Sequence, residues 1–350
     1  MPQEAIAIFD IGKTNMKFLL FSSTLTPAYQ ETEVIHEIQD EEGFPCDDIE
    51  RIETWMRQRL SRVMQEGAYA VRAVNFTTYG ASLMHLDARG ERLTPLYNYL
   101  KPMPEDVLAD FYDKWGGIEE FSLKTASPAM GMQNSGLQAL WLKRKKPEVF
   151  NNITVILHLP QYLSYLFTRK TVSEFTSIGC HTAMWDFDNR QYHEWIGKER
   201  IPLPLPSSGS TVFHSRFEGR TLITGVGIHD ISASLVPYLK FTAEPFILIS
   251  TGAWSIFMNP FNPEPLTREQ LLENSFCYMN THQEQVKTSR LCTGPIHDVN
   301  VEKLNRHFGV TAEYVKTIKT NPLKIDKLMK SYKGRIFFRE GVPADYADNT

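Results

Sequence analysis

Residues 6–21 read IAIFDIGKTNMKFLLF: an apolar run, a charged turn carrying Gly12, and a second apolar run. Two strand-like segments joined by a turn fold most simply as a β-hairpin, and Gly, Asn and Asp are common turn formers. The Gly12-Lys13-Thr14 triplet also ends the Walker A loop, which would make this segment a phosphate cradle. That loop needs another glycine five positions before Gly12, where the chain has Ala7. It also needs a helix to follow, whereas Met16–Phe21 is short, apolar and aromatic, more strand than helix. The segment is therefore not a P-loop. Two readings stay open: a plain hairpin, or a bend whose exposed backbone N–H groups bind an anion.

The pattern recurs. Phe246–Ile249 leads into Ser250-Thr251-Gly252-Ala253-Trp254 and then Ser255–Met258, again an apolar run, a Thr/Gly turn and an apolar run. Two such turns, one per presumed domain, suggest opposed phosphate-facing turns across a cleft. Between them strand and helix alternate. Ile49, Ile52, Met56, Leu60 and Val63 fall at helical spacing, and Ala70–Phe76 is a short strand ending in Thr77-Thr78-Tyr79-Gly80. Helices are predicted over Ser135–Lys146 and Leu159–Phe167, and Pro202–Pro206 is an irregular surface loop. Thr221–Thr224 is a strand, Gly225–Asp230 a turn, and Ile231–Ser234 a helix start. The alternation predicts an α/β core.

At 350 residues the chain exceeds the size at which one core keeps growing, so two domains are expected, with a boundary near Lys240–Glu244. A net charge of −4 and a pI near 6.2 argue against nucleic acid or an acidic membrane as the main partner. The one basic run, Lys143-Arg144-Lys145-Lys146, follows an amphipathic stretch and precedes Pro147, where cations suit a helix C-terminus. Cys46, Cys180, Cys277 and Cys292 share no C-x-x-C spacing and read as reduced intracellular thiols. No stretch approaches the roughly 18 apolar residues of a membrane span, and Asp10 and Lys13 interrupt any N-terminal signal core. A cytoplasmic protein is expected. The histidines form no H-E-x-x-H pattern, which excludes that kind of zinc site.

Taken together, these segments resemble the FGGY carbohydrate kinases of the actin/Hsp70/hexokinase superfamily. Asp10-Ile11-Gly12-Lys13-Thr14-Asn15 with Lys17 resembles the superfamily's first phosphate motif, D-x-G-x-T/S-x-x-K. Leu140–Lys143 through Pro147–Phe150 resembles the family's helix and following bend. Leu159-Pro160-Gln161-Tyr162-Leu163 through Thr168, then Ser173-Glu174-Phe175-Thr176, resembles its LP-x-x-YL…TE-x-T stretch. Gly227-Ile228-His229-Asp230 resembles the catalytic G-x-HD turn, and Ser250–Trp254 the second phosphate turn. The matches keep their order over roughly residues 5–300. The resemblance implies two ribonuclease-H-like domains of mixed sheets flanked by helices, with a catalytic cleft between them. Residues 1–243 would form the sugar- and phosphate-binding domain, and 244–350 part of the second.

The resemblance also implies ATP-dependent phosphorylation of a sugar hydroxyl, chemistry that relies on positioning and charge neutralisation. Asp10, at a strand end, would hold Mg²⁺ through water, because Mg²⁺ sheds its waters reluctantly. Gly12, Lys13, Thr14 and Asn15 would hold the ATP phosphates, with Thr251 and Gly252 adding contacts from the second domain. Asp230 would accept the proton of the acceptor hydroxyl; its alternative role is an N-cap for the helix that follows. His229 would orient the sugar or serve as a satisfied structural histidine. Gly80 would let substrate approach its loop or be a plain turn glycine, and Tyr79 would flank the sugar or belong to the core.

The expected partners are a small-molecule sugar and ATP, with no nucleic acid and no membrane, and a homodimer as a possible assembly. The sugar is read as a ketose or deoxyketose of rhamnulose, fuculose or xylulose type. The alternative is a non-catalytic sugar- or nucleotide-binding relative, or an inactive truncated kinase. In its favour, the family grips adenosine with a glycine-rich stretch in the second domain. Here the Gly116-Gly117 pair lies far too early, and Gly294, Gly309, Gly334 and Gly341 are isolated. The second domain is therefore expected to be incomplete.

Overall fold

In the computed structural model of the chain, which describes residues 2–242, 244–251, 254–291 and 294–331, the opening segment is a hairpin. Gln3–Ile11 pairs antiparallel with Asn15–Ser22, Asp10 opposite Lys17 and Ile11 opposite Met16. Alternation explains the pairing: Ala5, Ala7, Phe9 and Ile11 are buried on one strand, Met16, Phe18 and Leu20 on the other. Pro27–Val34 extends the hairpin antiparallel, and Tyr69–Thr78 joins Gln3–Ile11 in parallel. The sheet then continues through Arg220–Gly225 to Val212–Phe217, while the short strand Ile228–His229 also pairs with Tyr69–Thr78. The result is the mixed α/β architecture anticipated from the alternation of elements.

Helix Ile49–Glu66 covers one face of this sheet. Asp48 caps it by accepting the Arg51 N–H at 3.0 Å, and Gly67, at φ +74°, ends it in the left-handed conformation. Its Ile52, Trp55, Met56, Leu60 and Val63 are buried against Phe9, Phe18 and Phe76. Phe9 stands between Phe18 at 4.8 Å and Phe76 at 6.0 Å, with Trp55 edge-on at 5.8 Å. Each such ring, fully buried, contributes roughly 1.5–3 kcal/mol, so the hairpin that carries the first turn is also the centre of the core.

Helices Ser135–Lys145 and Leu159–Thr168 lie where periodicity placed them. The basic end of the first is not simply solvated. Buried Glu199 accepts from Lys114, Lys143 and Arg144, each at 2.9 Å. Burial raises the Glu199 carboxyl, but these cationic donors outweigh it and hold the group at about 2.

The chain divides into two compact units. One comprises residues up to Leu248 together with Met258–Ser289; the other takes Ile249–Phe257 and the described residues from Arg290 on. Within the first, Ser275–Met279 pairs antiparallel with residues 285–289, and this hairpin packs on the preceding chain: the Cys277 N–H donates to Ala126 O at 3.2 Å, and the Tyr278 ring lies 5.2 Å from that of His229. The second unit contains helices Gly294–Phe308, Ala312–Thr317 and Pro322–Ser331, and its Arg290 guanidinium sits 4.8 Å over the Trp254 ring. Among the described residues, no helix is long and apolar enough to cross a membrane. Cys46, Cys180 and Cys277 are buried and form no disulfide among the described residues, and Cys292 lies outside them.

Candidate active site

Strand Tyr69–Thr78 brings the two motif turns together. Its Thr77 lies opposite Asp10 on one side and opposite Ile228 on the other. Adjacent strands run about 4.8 Å apart, so the backbones of Asp10 and Ile228 are roughly 10 Å apart at one end of the sheet. The turn after Asp10 and the helix start at Asp230 therefore lie at the same end of the sheet.

The first turn is open. Gly12 N–H donates to Asn15 O at 3.0 Å, closing the bend, and a Cβ on Gly12 would lie only 3.3 Å from that oxygen. The N–H groups of Lys13 and Thr14 donate to no backbone carbonyl among the described residues, the arrangement that suits an anion. Lys17 Nζ donates to Asp10 Oδ2 at 3.2 Å, both side chains partly exposed. Lys13 points elsewhere, to Asp47 Oδ1 at 2.5 Å.

The second turn is pinned on every side. Asn75 Oδ1 accepts the Gly227 N–H at 3.1 Å, Gln161 Nε2 donates to Gly227 O at 2.8 Å, and Ser164 Oγ donates to Gly225 O at 2.7 Å. Gly227 has φ +81°, and a Cβ there would lie 2.3 Å from Pro160 O, so no other residue fits without a shift. Next along, the His229 N–H donates to Thr176 Oγ1 at 3.0 Å. Thr176 in turn donates to Glu174 Oε2 at 2.6 Å, and Glu174 caps helix Phe175–Ile178 through the N–H groups of Thr176 and Ser177. Desolvation of this fully enclosed carboxyl pushes it up to about 7 in spite of those donors.

His229, not Asp230, takes the N-cap position of helix Asp230–Phe241; Asp230 sits in the first turn, its Oδ1 accepting the Ile231 N–H at 2.6 Å. Packing around the Asp230 carboxyl raises it to about 7 although 29% of the side chain stays exposed; a backbone hydrogen bond opposes the rise and the charge of Asp10 adds to it. A carboxyl so placed is half in its basic form near neutrality, which suits a proton acceptor. His229 is buried, with Nε2 3.1 Å from Cys180 Sγ and Nδ1 3.2 Å from Ser232 Oγ. Desolvation, with the charges of His181 and His158, lowers it to about 3, so the ring is neutral.

Gly80 touches the same cluster. A Cβ there would lie 2.5 Å from Cys180 Sγ and 3.1 Å from His229 Nε2. The close approach that demands glycine is thus to the Cys180–His229 pair. Tyr79 is buried in the main core, its N–H donating to Ile11 O at 3.1 Å and its hydroxyl to Asp47 Oδ2. Thr251 belongs to the other unit and is exposed, and Gly252 lies outside the described residues.

Comparison with known proteins decides the family. The model of the N-terminal domain of the FGGY family of carbohydrate kinases matches residues 5–214. The chain belongs to the FGGY family. A rhamnulokinase of Yersinia pestis (strain Pestoides F) is 24% identical over 247 residues, covering 67% of this chain and 49% of its own length. A rhamnulokinase of Halalkalibacterium halodurans is 23% identical over 260 residues, covering 69% and 52%. This FGGY chain thus spans about half the length of the curated relatives it matches. Among solved structures, a carbohydrate kinase from Novosphingobium aromaticivorans superposes with a TM-score of 0.75 at 22% identity, covering 86% of this chain and 66% of that one. The xylulose kinase from Rhodospirillum rubrum gives 0.76 at 16% identity, covering 93% and 68%. The fold is that of these kinases.

Within the FGGY frame, sequence motifs located the turns but not what holds them. Gln161 and Thr176 lie inside the quoted LP-x-x-YL and TE-x-T runs, so their positions were visible while their partners, 66 and 53 residues away, were not. Asn75, Asp47 and Cys180 carry no local signal at all. Asp10 is compatible with Mg²⁺, which keeps most of its waters and takes one or two carboxylates plus substrate phosphates. Among the described residues no group of three or more His, Cys, Asp or Glu side chains could hold a metal ion, so an all-protein cage is not what this turn offers.

Proposed function

We propose that this FGGY chain takes part in ATP-dependent phosphorylation of a hydroxyl of a ketose or deoxyketose, of rhamnulose, fuculose or xylulose type. The observation that carries the reading is the pairing of an open, amide-lined turn after Asp10 with an Asp230 raised to about 7, at one end of the sheet. Gly12 lets the backbone come close to the ATP phosphates, which the Lys13 and Thr14 N–H groups and the Thr14 and Asn15 side chains receive. Asp230 accepts the proton of the attacking hydroxyl as its oxygen bonds to the γ-phosphorus and the bond to the leaving ADP oxygen breaks. Mg²⁺ bound at Asp10 would neutralise phosphate charge. Tyr79, Gly80 and His229 shape the acceptor side, while Thr251 and Gly252 are assigned phosphate contacts on their motif alone. Residues 1–243 are read as the family's first domain and 244–350 as part of the second.

The sugar class rests on the relatives' names, rhamnulokinase and xylulose kinase. A panel of ketoses with coupled ADP detection tests the reading. One ketose should release ADP well above the rate without sugar. Sugar binding without any ADP release would favour the non-catalytic alternative.

A further inference from the structure

The resemblance places Lys13 in a phosphate motif, yet its ammonium is engaged elsewhere. Lys13 Nζ lies 2.5 Å from Asp47 Oδ1, and Glu37, half-exposed, is farther at 3.7 Å. Asp47 is 1% exposed, on the short strand Pro45–Asp47. Its second oxygen accepts the Tyr79 hydroxyl. The ammonium also lies 5.8 Å from the centroids of both Tyr79 and Tyr99, whose rings meet edge to face at 6.1 Å. One buried carboxylate thus joins the cation of the first turn to the ring that precedes Gly80.

We propose that the Lys13 side chain serves the acceptor side of the site and not the phosphates: with Asp47 it is a positioning pair that fixes Tyr79 and, through it, the Tyr79-Gly80 loop. The inference rests on the assignment above of turn Gly12–Asn15 to phosphate and of Tyr79-Gly80 to the acceptor.

Electrostatics favour this commitment. Drawing Lys13 away would leave Asp47 a buried, uncompensated charge, the costly way to break a buried pair. A phosphate at the open turn would have to compete from the solvated side, where charge attraction is weak. The phosphate turn does not need the ammonium, because its backbone N–H groups and Lys17 remain at hand. Tyr79, by contrast, needs Asp47: its hydroxyl is buried and Asp47 is its acceptor. Downstream, Gly80 packs on His229, the neighbour of Asp230, so a displaced Tyr79 loop would disturb the groups that face the sugar.

The test is calorimetry on the full chain, with MgATP and with L-rhamnulose or D-xylulose titrated separately. Lys13→Met should weaken the ketose by about 10-fold or more while the MgATP dissociation constant stays within about 2-fold. Removing both charges, in Lys13→Met/Asp47→Asn, should recover most of the lost ketose affinity, because no unpaired charge is left behind. Tyr79→Phe, which keeps the ring and the ion pair, should weaken the ketose a few-fold and leave MgATP unchanged. It decides the matter if Lys13→Met does not fold.

Loss of MgATP affinity with ketose affinity intact overturns the inference and leaves the site assignment standing. Equal loss of both, or a Tyr79→Phe variant with unchanged ketose affinity, overturns it too. A parent chain that binds neither ligand brings down the site assignment and the inference with it.

Discussion

The two motif turns are built on opposite plans. After Asp10 the chain closes on itself through the Gly12 N–H and Asn15 O, Thr14 O accepts the Ile35 N–H, and the amides of Lys13 and Thr14 donate to no backbone carbonyl among the described residues. Before Asp230 the turn is held by Asn75, Gln161 and Ser164, and His229 is held by Thr176. The difference suits the work proposed for each. A turn that wraps a phosphate needs free donors, and those are affordable only where water can satisfy them when no ligand is bound. A turn that presents a base needs one fixed direction, and buried, fully partnered polar groups supply that rigidity. Openness and pinning serve the same end of the sheet.

The largest expected effect strikes the pinned side. Asp230→Asn removes the proton acceptor and should lower sugar-dependent turnover by roughly 10²–10⁴-fold while sugar binding persists. In the parent, turnover should climb as pH rises through about 7, because only the deprotonated carboxyl accepts a proton. Turnover by the variant within a few-fold of the parent would remove Asp230 from the chemistry.

The glycines test the contrast directly. In Gly227→Ala the new methyl meets Pro160 O at 2.3 Å in a left-handed backbone, so something must shift. A loss of about 2–4 kcal/mol in stability is expected, with activity falling alongside. In Gly12→Ala the contact is 3.3 Å and the backbone is not left-handed, so stability should change by less than about 1 kcal/mol. Its effect should fall on MgATP affinity instead. Thermal melts and nucleotide titrations on both variants separate the cases; similar destabilisation in the two would erase the distinction between open and pinned turns.

The contrast also sorts what the sequence could reveal. Period-two burial in 3–22 and helical spacing in 49–66 announced the hairpin and its covering helix, because local pattern and tertiary burial agree there. The open turn was equally legible as a hairpin bend, since its geometry lies in its own backbone. The pinned turn was legible only as a motif. Its rigidity comes from Asn75, Gln161, Ser164 and Thr176, which are distant in sequence and chemically ordinary. Lys13 shows the converse: its motif points to phosphate, whereas the buried Asp47 that engages it lies 34 residues away and carries no motif. Spacing cannot show a partner that only the fold brings near.

The last expected effect is a bias in stability with pH, set in part by the pinned side. His85, His158 and His229 are lowered by desolvation to about 3, about 4 and about 3, and His193 is shifted the same way. Between about pH 4.5 and 6.5 the unfolded chain therefore binds protons that these native rings refuse, and stability falls on acidification. Asp230 and Glu174, each raised to about 7, oppose this, because the native chain keeps two protons that the unfolded chain has released. Three or four imidazoles against two carboxyls leave a net slope of at most a proton or two, roughly 1.4 kcal/mol per pH unit for each. Above 6.5 the imidazoles are neutral in both states. Stability present at lower pH is then lost as pH passes through the folded values of the two carboxyls. A shallow maximum near pH 6.5 is expected in chemical denaturation curves. Asp230→Asn removes one opposing proton, so it should steepen the acid side and flatten the alkaline side. An unchanged profile in that variant would mean that the Asp230 carboxyl is not raised in the folded chain.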